Sequence, residues 1–489
     1  MFETIIAHVN NYLYTYVLII VLVAGGIFFT IRSKGAQVRL LGEQIRLVSE
    51  RPSDKKGVSS FQALMVSTAS RVGTGNIIGV ATALCLGGFG SVFWMWIIAI
   101  IGGASAFIES TLAQIYKKRG ANGSYGGPAY YIEGALKCRP LAIVFSVLLI
   151  LTYGVGFNML GSYNLQSTFS TYGFYDANLT PWIIGGIVAL LVGYCLFGGG
   201  KRILKITGVL VPIMGVIYVL VALVITLINI PALPGVLGRI FTEAFDFTAI
   251  FGGFSGSCVM YGIKRGLFSN EAGVGSAPNA SASADVTHPV KQGLVQVLSV
   301  FLDTIIVCSA TAFMCMCSGV EPSASLDGAV YVQKAIQATL GNFGPIFITI
   351  SMILFAFTTL LGNLFYVDKA LFHIFGHEPN RVFKTVYYVL ASLVILLGAG
   401  LNASLLWDVA DVTMGLMTLI NMPVIIILSS QAIKALKDYT NQKKRGISSP
   451  VFYSKNIGLN ANLDYWNLPN QDATDNEPKV VKESKNIEG

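Results

Sequence analysis

The chain has 489 residues, of which 54% are hydrophobic and only 12% are charged, and its mean hydropathy is +0.65. This number of charged residues is too small to keep a globular protein of this size in solution. The composition therefore excludes a soluble protein and predicts an all-α polytopic membrane protein. The net charge of +8 fits basic loops at a membrane surface, and no nucleic-acid-binding module accompanies it.

Eleven apolar runs are predicted to cross the membrane, because each approaches the length of about 20 residues that a spanning helix needs. The first run has neither a basic leader nor an obvious small-residue cleavage site, so it is predicted to be a retained helix rather than a signal peptide. In chain order the runs lie at 13–31, 58–85, 91–115, 140–170, 181–198, 207–229, 247–263, 292–318, 345–368, 384–400 and 407–433.

The positions of lysine and arginine predict the orientation, because basic residues near helix ends stay on the cytoplasmic side. Basic loops follow alternate spans, only Arg239 and Lys334 fall on the opposite side, and Arg71 lies inside a span. The N-terminus is therefore predicted outside and the C-terminus inside. Residues 438–489, which carry few large apolar side chains, are predicted to form a disordered cytoplasmic tail.

Two of the runs are interrupted by glycine and polar residues at mid-membrane depth. The first interruption, at 71–76, reads RVGTGN, and the second, at 252–262, reads GGFSGSCVMYG. Unwound backbone offers carbonyls to cations and N–H groups to carboxylates, and paired interruptions in two halves of a chain are typical of a transporter's binding site. The alternative is that these glycines only permit close helix packing.

Motifs of nucleotide-driven or metal-dependent chemistry are not evident. The GGGK at 198–201 lacks the spacing and the hydroxyl residue of a phosphate loop, and His373 and His377 lack the glutamate of a zincin. The seven cysteines form no CxxC pair and are expected to be reduced packing residues. The chain is therefore predicted to be no enzyme and to use no cofactor or nucleotide. A membrane-embedded enzyme is the alternative of a different class, although a GxSxG elbow is not seen.

Several segments between 58 and 433 resemble the alanine or glycine:cation symporter family. They are RVGTGNIIGVATAL, GGFGSVFWMW, GGPAYYIEGAL, RGLFSNEAGVGSAP with HPVKQGL, and FLDTIIVCSATAF. The resemblance implies sodium-coupled uptake of small neutral amino acids through the cell membrane of a prokaryote, with proton coupling as the alternative. It also implies a fold similar to the leucine transporter, with two inverted five-helix repeats at 58–246 and 247–437 and an extra N-terminal helix within 1–57.

The resemblance also implies a sodium site. The backbone at Ala69 and Val72 and the hydroxyls of Thr358 and Thr359 match its ligands, although threonine hydroxyls commonly bond to their own helix. Asn76 and Asp303 are further candidates, because an acid inside the membrane is costly and Asp303 could pair with Asn76 or approach a second cation. The coupling ion is therefore expected to be sodium.

For the substrate, the resemblance implies that Thr74 and Gly75 face the carboxylate and that Gln166 contacts the amino acid, unless Gln166 only bonds between helices. Asn363, where many relatives carry tryptophan, would enlarge the pocket and extend the substrates from alanine and glycine to serine, asparagine or glutamine. The sixth core helix is expected to line the pocket through Gly252, Gly253, Phe254, Ser257 and Cys258.

The longest signature contains a charged and polar cluster formed by Arg265, Asn270 and Glu271. Its position after the sixth core helix predicts an inner gate on the cytoplasmic side, and a solvated turn is the alternative. The guanidinium of Arg71 also needs an acidic partner inside the membrane. The candidates for that partner are Glu109, Asp303, Asp408 and Asp411.

Overall fold

The structure is a computed structural model that describes residues 1–52, 57–120, 123–246, 250, 253, 257–326, 328–459 and 463–467. These residues form a bundle of helices and one antiparallel hairpin, in which Lys118–Gly120 (β1) pairs with Gly123–Tyr125 (β2). The hairpin follows one of the longest apolar helices at the end of the bundle.

The first half of the chain starts with α1 (Phe2–Tyr12) and α2 (Ile19–Arg32), which a π-helical turn, Leu13–Leu18, joins. The helices that follow are α3 (Ala36–Arg39), α4 (Leu41–Val48), α5 (Ser60–Arg71), α6 (Ile78–Gly87), α7 (Gly90–Ile115), α8 (Pro128–Leu136), α9 (Arg139–Leu149), α10 (Phe157–Ser167), α11 (Thr180–Leu196), α12 (Gly199–Ile228) and α13 (Leu233–Ala244).

The second half contains the longest helices of the bundle. They are α14 (Cys258–Asn270), α15 (Pro278–Ser281), α16 (Pro289–Val300), α17 (Ser309–Met316), α18 (Ala329–Leu340), α19 (Phe343–Phe375), α20 (Arg381–Ala399) and α21 (Ala403–Lys444). Two further π-helical turns, Ile150–Gly156 and Phe301–Cys308, join α9 to α10 and α16 to α17.

Eight helices among the described residues are long and apolar enough to cross a membrane, and each overlaps one of the eleven predicted runs. The other three runs differ in form. The run at 58–85 is the broken pair α5 and α6, the run at 181–198 is the shorter helix α11, and the run at 247–263 lies partly outside the described residues. The total of eleven spans therefore stays a prediction.

The second interruption lies later in the chain than predicted. Helix α14 runs unbroken through residues 258–262, because Ser257 caps its first turn by accepting a hydrogen bond from the Met260 N–H at 3.3 Å. The helix ends only at Glu271, whose φ of +51° is left-handed, and the chain stays irregular until α15. The predicted break is therefore wrong at 258–262, and the break spans 271–277.

The glycines of α14 instead permit close packing against α7. An added Cβ at Gly262 would lie 2.5 Å from the Ser91 carbonyl oxygen, and one at Gly266 would lie 2.6 Å from the Ile98 side chain. The packing alternative is therefore correct for Gly262, since only a residue without a side chain fits there.

Gly262→Ala should destabilise the protein by about 1–3 kcal/mol, because the added methyl group would force α14 and α7 apart. The denaturation midpoint of detergent-purified protein measures this loss. Gly208→Ala in α12 is the matched control, since an added Cβ there meets none of the described atoms within 4 Å. Equal midpoints for the two variants would contradict the close crossing.

The predicted disordered tail is largely ordered where the structure describes it. Helix α21 continues to Lys444, and residues 447–459 and 463–467 fold back onto the bundle. The Phe452 N–H donates to the Thr287 carbonyl at 3.0 Å, and Trp466 Nε1 donates to the Gln114 carbonyl at 2.8 Å. The predicted disorder from residue 438 onward is therefore wrong for these residues. The segment has few large apolar side chains, but its aromatic residues pack against the bundle and hold it in place. Residues 468–489 lie outside the described part.

The same segment covers two basic side chains. Lys117 Nζ lies 4.6 Å from the ring centre of Tyr465 and 5.0 Å from that of Trp466, and burial lowers its pKa to about 7. The His288 ring packs 5.1 Å from that of Phe452, and burial also lowers the pKa of His288. The folded-back segment is therefore an integral part of this end of the bundle.

Candidate functional site

The predicted interruption at 71–76 is confirmed. Helix α5 ends at Arg71, Gly73 is extended, and a 3₁₀ turn, Thr74–Asn76, precedes α6. The Asn76 side chain holds this shape, because its Oδ1 accepts a hydrogen bond from the Gly73 N–H at 2.8 Å. Thr74 and Gly75 start a helical turn, so their N–H groups have no partners within it.

The two helix breaks, at 72–77 and 271–277, face each other across a small cavity. Its volume is about 20 Å³, which holds about one water molecule, so an amino acid needs its walls to move. The aromatic walls Phe157 and Phe268 lie with ring centres 4.8 Å apart. The lining residues are Ser70, Arg71, Gly73, Thr74, Gly75, Phe157, Leu160, Phe268, Glu271 and Thr359.

Thr74 and Gly75 line the cavity, whereas Gln166 is not among the lining residues. The Gln166 Oε1 accepts a hydrogen bond from the Tyr175 hydroxyl at 2.9 Å. Asn164, on the same helix, instead donates to the Thr74 hydroxyl at 3.1 Å. Asn164 was missed, because its side chain is as polar as that of Gln166 and the sequence alone does not show which one faces α6.

The described residues that were predicted to line the pocket from the sixth core helix lie away from the cavity. Ser257 and Cys258 start α14, about 20 Å along the helix axis from Glu271. Gly253 is exposed, and Gly252 and Phe254 lie outside the described residues. Phe268 and Glu271 line the cavity in their place, and the signature RGLFSNEAGVGSAP contained both of them.

Of the four residues predicted to bind sodium, Ala69 and Thr359 contact each other. The Thr359 hydroxyl donates to the Ala69 carbonyl at 3.0 Å, between α19 and the end of α5. The Thr358 hydroxyl donates to its own helix, to the Leu354 carbonyl at 3.0 Å, as the alternative interpretation of this residue had it. Val72 follows α5 directly and is buried.

Asn76 and Asp303 also meet, in a second buried cluster of oxygen atoms. Asn76 Nδ2 donates to Asp303 Oδ1 at 2.7 Å, and the hydroxyls of Ser269 and Thr304 each donate to Asp303 Oδ2 at 2.8 Å. Asp303 belongs to the π-helical turn Phe301–Cys308 and is 0% exposed. The carboxylate and the two hydroxyl oxygens are ligands that suit a hard cation, whereas Asn76 turns its Nδ2 toward the carboxylate and its Oδ1 toward the Gly73 N–H.

Arg71 provides positive charge beside the breaks. Its Nη1 donates to the Gln296 carbonyl at 3.4 Å, and its other two nitrogens have no hydrogen-bond partner among the described residues. The guanidinium attracts three buried carboxylates, those of Glu109, Glu271 and Asp303. Two of the four candidate partners, Glu109 and Asp303, therefore lie within the field of Arg71, and so does Glu271, which the sequence did not indicate as a partner.

Neutral hydrogen-bond donors contact the carboxylates of Glu109 and Glu271. Glu109 accepts from Asn421 Nδ2 at 2.8 Å and from the Gly273 N–H at 3.3 Å, and Glu271 accepts from the Ser276 hydroxyl at 2.6 Å. Both acids are at most 1% exposed. Three buried carboxyl groups thus lie within the electrostatic field of one buried guanidinium, and none of them forms an ion pair with it within 4 Å in the described part of the chain.

The predicted gate residues do not form one cluster. Arg265 Nη2 lies 2.8 Å from Asp411 Oδ2, Asn270 Oδ1 accepts from the Ala272 N–H at 3.0 Å, and Glu271 lines the cavity. They separate because α14 continues to Asn270, so that Arg265 lies more than one helical turn before the break.

Helix α7 shows on which side of the cavity Arg265 lies. Near its start, α7 meets α14 at Gly262, and near its end Gln114 Nε2 donates to the Ala284 carbonyl at 3.0 Å. Arg265 is therefore on the side away from Ala284 and the folded-back C-terminal segment. The gate and the C-terminus were both predicted on the cytoplasmic side, whereas the structure places Arg265 at the opposite end of α7 from the C-terminal segment.

Comparisons with known proteins show what the chain is similar to. Residues 1–454 match the model of the sodium:alanine symporter family. The amino-acid carrier protein AlsT of Bacillus subtilis is 41% identical over 472 residues, which are 96% of this chain and 99% of the relative. The probable sodium/glutamine symporter GlnT of the same bacterium is 42% identical over 467 residues, covering 95% and 96%.

An archaeal relative and a solved structure extend the similarity. The sodium/alanine symporter AgcS of Methanococcus maripaludis is 35% identical over 452 residues, which are 91% of this chain and 98% of the relative. The crystal structure of MhsT in complex with L-phenylalanine has a TM-score of 0.55 and 18% identity, over 79% of this chain and 93% of that chain, which shows a shared leucine-transporter fold. The chain is therefore a membrane transporter rather than an enzyme, and it belongs to the sodium:alanine symporter family.

Proposed function

We propose that the protein takes up small neutral amino acids, namely alanine, glycine, serine or glutamine, by sodium-coupled symport and alternating access. The observation that carries this proposal is that three buried carboxyl groups lie around the breaks within the field of a single guanidinium, that of Arg71. Uncompensated buried charge is costly, so cations that enter this region stabilise it. Cation binding can thereby be coupled to a change of conformation.

The cavity also has the chemistry that an amino acid requires. The N–H groups of Thr74 and Gly75 and the guanidinium of Arg71 suit a carboxylate, and the carboxylate of Glu271 suits an ammonium group. The rings of Phe157 and Phe268 close around this space and favour a small side chain. A zwitterion of the size of alanine matches these groups best.

Two positions are proposed for sodium. The first uses the carbonyls of Ala69 and Val72 and the hydroxyl of Thr359, with Thr358 as a further ligand if its hydroxyl turns away from its own helix. The second uses Asn76 and Asp303, together with the hydroxyl of Ser269. Both positions adjoin the break at 72–77, so cations there can stabilise the conformation that binds the substrate.

The finer architecture is part of the same proposal. Ten of the eleven spans form two inverted five-helix repeats, at 58–246 and 247–437, and the extra N-terminal helix is the eleventh; the protein lies in the cell membrane of a prokaryote with the N-terminus outside. In this orientation Arg265 and Asp411 close the outer side of the cavity. Two similarly broken helices, one in each half of the chain, support the repeats.

Uptake of labelled alanine into proteoliposomes tests the proposal. We expect accumulation with an inward sodium gradient and none when choline replaces sodium at constant pH. Competition by glycine, serine, asparagine and glutamine then gives the substrate range. No uptake of alanine or of any competitor under a sodium or pH gradient would overturn the proposal.

Proton coupling is the second candidate, and Glu109 is the residue that favours it. Its carboxylate accepts hydrogen bonds from an amide side chain and a main-chain N–H, which are donors and not cation ligands. Sodium would find no further oxygen ligand among these two groups, whereas a proton needs only the carboxylate oxygen and removes its buried charge. Accumulation driven by a pH gradient in vesicles without sodium would establish this candidate.

Asn363→Trp should narrow the substrate range. Asn363 is buried, where its Nδ2 donates to Asn158 Oδ1 at 3.0 Å and its Oδ1 accepts from the hydroxyl of the cavity residue Ser70 at 2.7 Å. A larger ring there would press on Ser70, so competition by glutamine and asparagine should fall by roughly tenfold relative to alanine. Asn363→Ser, which adds no bulk, is the control. An unchanged competition order in a tryptophan variant that still transports alanine would contradict the prediction.

A further inference from the structure

The ion pair on one side of the cavity depends on a single carboxylate oxygen. Asp411 Oδ2 lies 2.8 Å from Arg265 Nη2 and 3.0 Å from Lys264 Nζ, and Asp411 is 0% exposed. Two cations that share one buried oxygen require that oxygen at a defined place. The position of Asp411 therefore decides whether Arg265 stays in place.

Arg265 in turn covers the cavity. Its guanidinium carbon lies 4.3 Å from the ring centre of Trp407, and the rings of Trp407 and Phe268 lie 4.8 Å apart. Phe268 is part of the cavity wall. The layer of Arg265, Trp407 and Phe268 must separate before an amino acid can enter from this side.

Helix α1 and the π-helical turn after it contact Asp411, although they precede both proposed repeats. Asn10 Nδ2 donates to Asp408 Oδ1 at 2.6 Å and lies 3.4 Å from Asp411 Oδ2, and the Tyr14 hydroxyl donates to the Asp411 carbonyl at 3.3 Å. Asn10 and Tyr14 are 2% and 1% exposed. The two contacts with Asp411 are therefore shielded from water, which strengthens them, whereas the hydrogen bond to Asp408 is partly buried.

Close packing fixes the same two segments to each other. Gly415 lies about one helical turn after Asp411, and an added Cβ there would lie 2.5 Å from Leu13 and 2.8 Å from Leu18. Leu13 and Leu18 bound the π-helical turn that carries Tyr14, and such turns are frequent at functional sites. The N-terminal segment cannot shift here without moving the part of α21 that carries Asp411.

We propose that the N-terminal segment positions Asp411 through Asn10 and Tyr14, and so sets how readily the cavity opens past Arg265 and Trp407. The inference rests on the proposed alternating access, and it makes Asn10 and Tyr14 positioning residues for the gate. The extra N-terminal helix then has a defined role in transport, in addition to membrane insertion and packing.

A thiol reporter tests this role directly. Gly79 packs against the layer, and an added Cβ there would lie 3.8 Å from Arg265 and 3.9 Å from Trp407, which are ordinary contact distances. The rate at which a water-soluble maleimide modifies Gly79→Cys in lipid nanodiscs measures how often the layer opens. The same protein with Gly79 gives the background from the native cysteines.

Asn10→Ala and Tyr14→Phe should each raise this rate by roughly 2- to 10-fold, the factor expected when one hydrogen bond that favours the closed state is lost. Asn11→Ala and Tyr16→Phe, at exposed positions of the same segment, should leave the rate unchanged. In proteoliposomes, the maximal rate of uptake should fall for the first two variants while the half-saturating sodium concentration stays within roughly twofold.

Equal modification rates for the four variants would overturn the positioning role, whatever their transport activity. Absence of transport by the unmodified protein would instead overturn the proposed function, and the modification rates would still report the contact. If Asn10→Ala does not fold, Tyr14→Phe carries the test alone, because it keeps the buried ring and removes only the hydroxyl.

Discussion

Asp303→Asn should raise the sodium concentration for half-maximal alanine uptake by at least roughly 100-fold. The substitution removes the negative charge that faces Asn76 and leaves the shape of the site. Asp303 and a bound sodium ion would form a buried charge pair, and losing one member of such a pair costs about 3–5 kcal/mol. The hydroxyls of Ser269 and Thr304, which donate to Asp303 Oδ2, can rotate to accept from an amide. Initial uptake rates measured over a range of sodium concentrations give the shift.

Cys308→Ser is the matched control for this variant. The Cys308 sulfur lies 3.3 Å from Asn76 Nδ2 and 3.1 Å from the Ser269 hydroxyl, so the control changes the same cluster without changing its charge. We expect its sodium dependence to stay within roughly threefold of the parent protein. If Asp303→Asn kept the sodium dependence of the parent, Asp303 would be only a structural partner of Asn76.

Thr359→Val should raise the half-saturating sodium concentration by roughly 10- to 100-fold, since an interaction of a hydroxyl with a charged group contributes about 1.5–3 kcal/mol. Valine has the shape of threonine, so the contact with Gly73 is kept and only the hydroxyl that reaches the Ala69 carbonyl is lost. The same uptake assay measures the effect.

Thr358→Val distinguishes the contributions of the two neighbouring threonines to sodium binding. Its hydroxyl donates within α19, to the carbonyls of Leu354 and Phe355, so its loss should change the sodium dependence less than the loss of the Thr359 hydroxyl. An equal loss in both variants would show that Thr358 turns toward the ion when sodium binds. Wild-type sodium dependence in Thr359→Val would remove this position from the proposed sodium sites.

The first helix break could be predicted because its cause is local. Gly73 and Gly75 weaken the helix, and Asn76 caps the Gly73 N–H from within the same six residues. The second break could not be predicted in this way, because the segment at 252–262 is equally rich in glycine. There the glycine at 262 serves a contact with Ser91, far away in the chain.

The second helix break, at 271–277, could not be recognised in the sequence because charged residues lie in and beside it. Arg265 and Glu271 made their segment look like a loop outside the membrane, since sequence reasoning counts charge and does not see partners. Asp411 pairs with Arg265 from 146 residues away, and Ser276 and Arg71 are the partners of Glu271. Buried polar networks of this kind depend on helices that meet only in the folded bundle.

The face of α10 presents a similar limit. Asn164 and Gln166 differ by two positions, which places their side chains about 200° apart around a helix. The π-helical turn Ile150–Gly156 before α10 changes the helical phase, so a regular periodicity counted from α9 gives the wrong face. The polar residue that reaches Thr74 could therefore be recognised only from the coordinates.

The folded-back C-terminal segment imposes an order on biosynthesis. Residues 447–459 and 463–467 leave the ribosome after every helix of the bundle, so Lys117 and His288 acquire their aromatic cover only when translation is nearly complete. A chain that terminates at residue 446 would contain all of the bundle helices and would expose these two side chains at its end. Full-length and prematurely terminated chains should therefore differ in their protease sensitivity near Lys117.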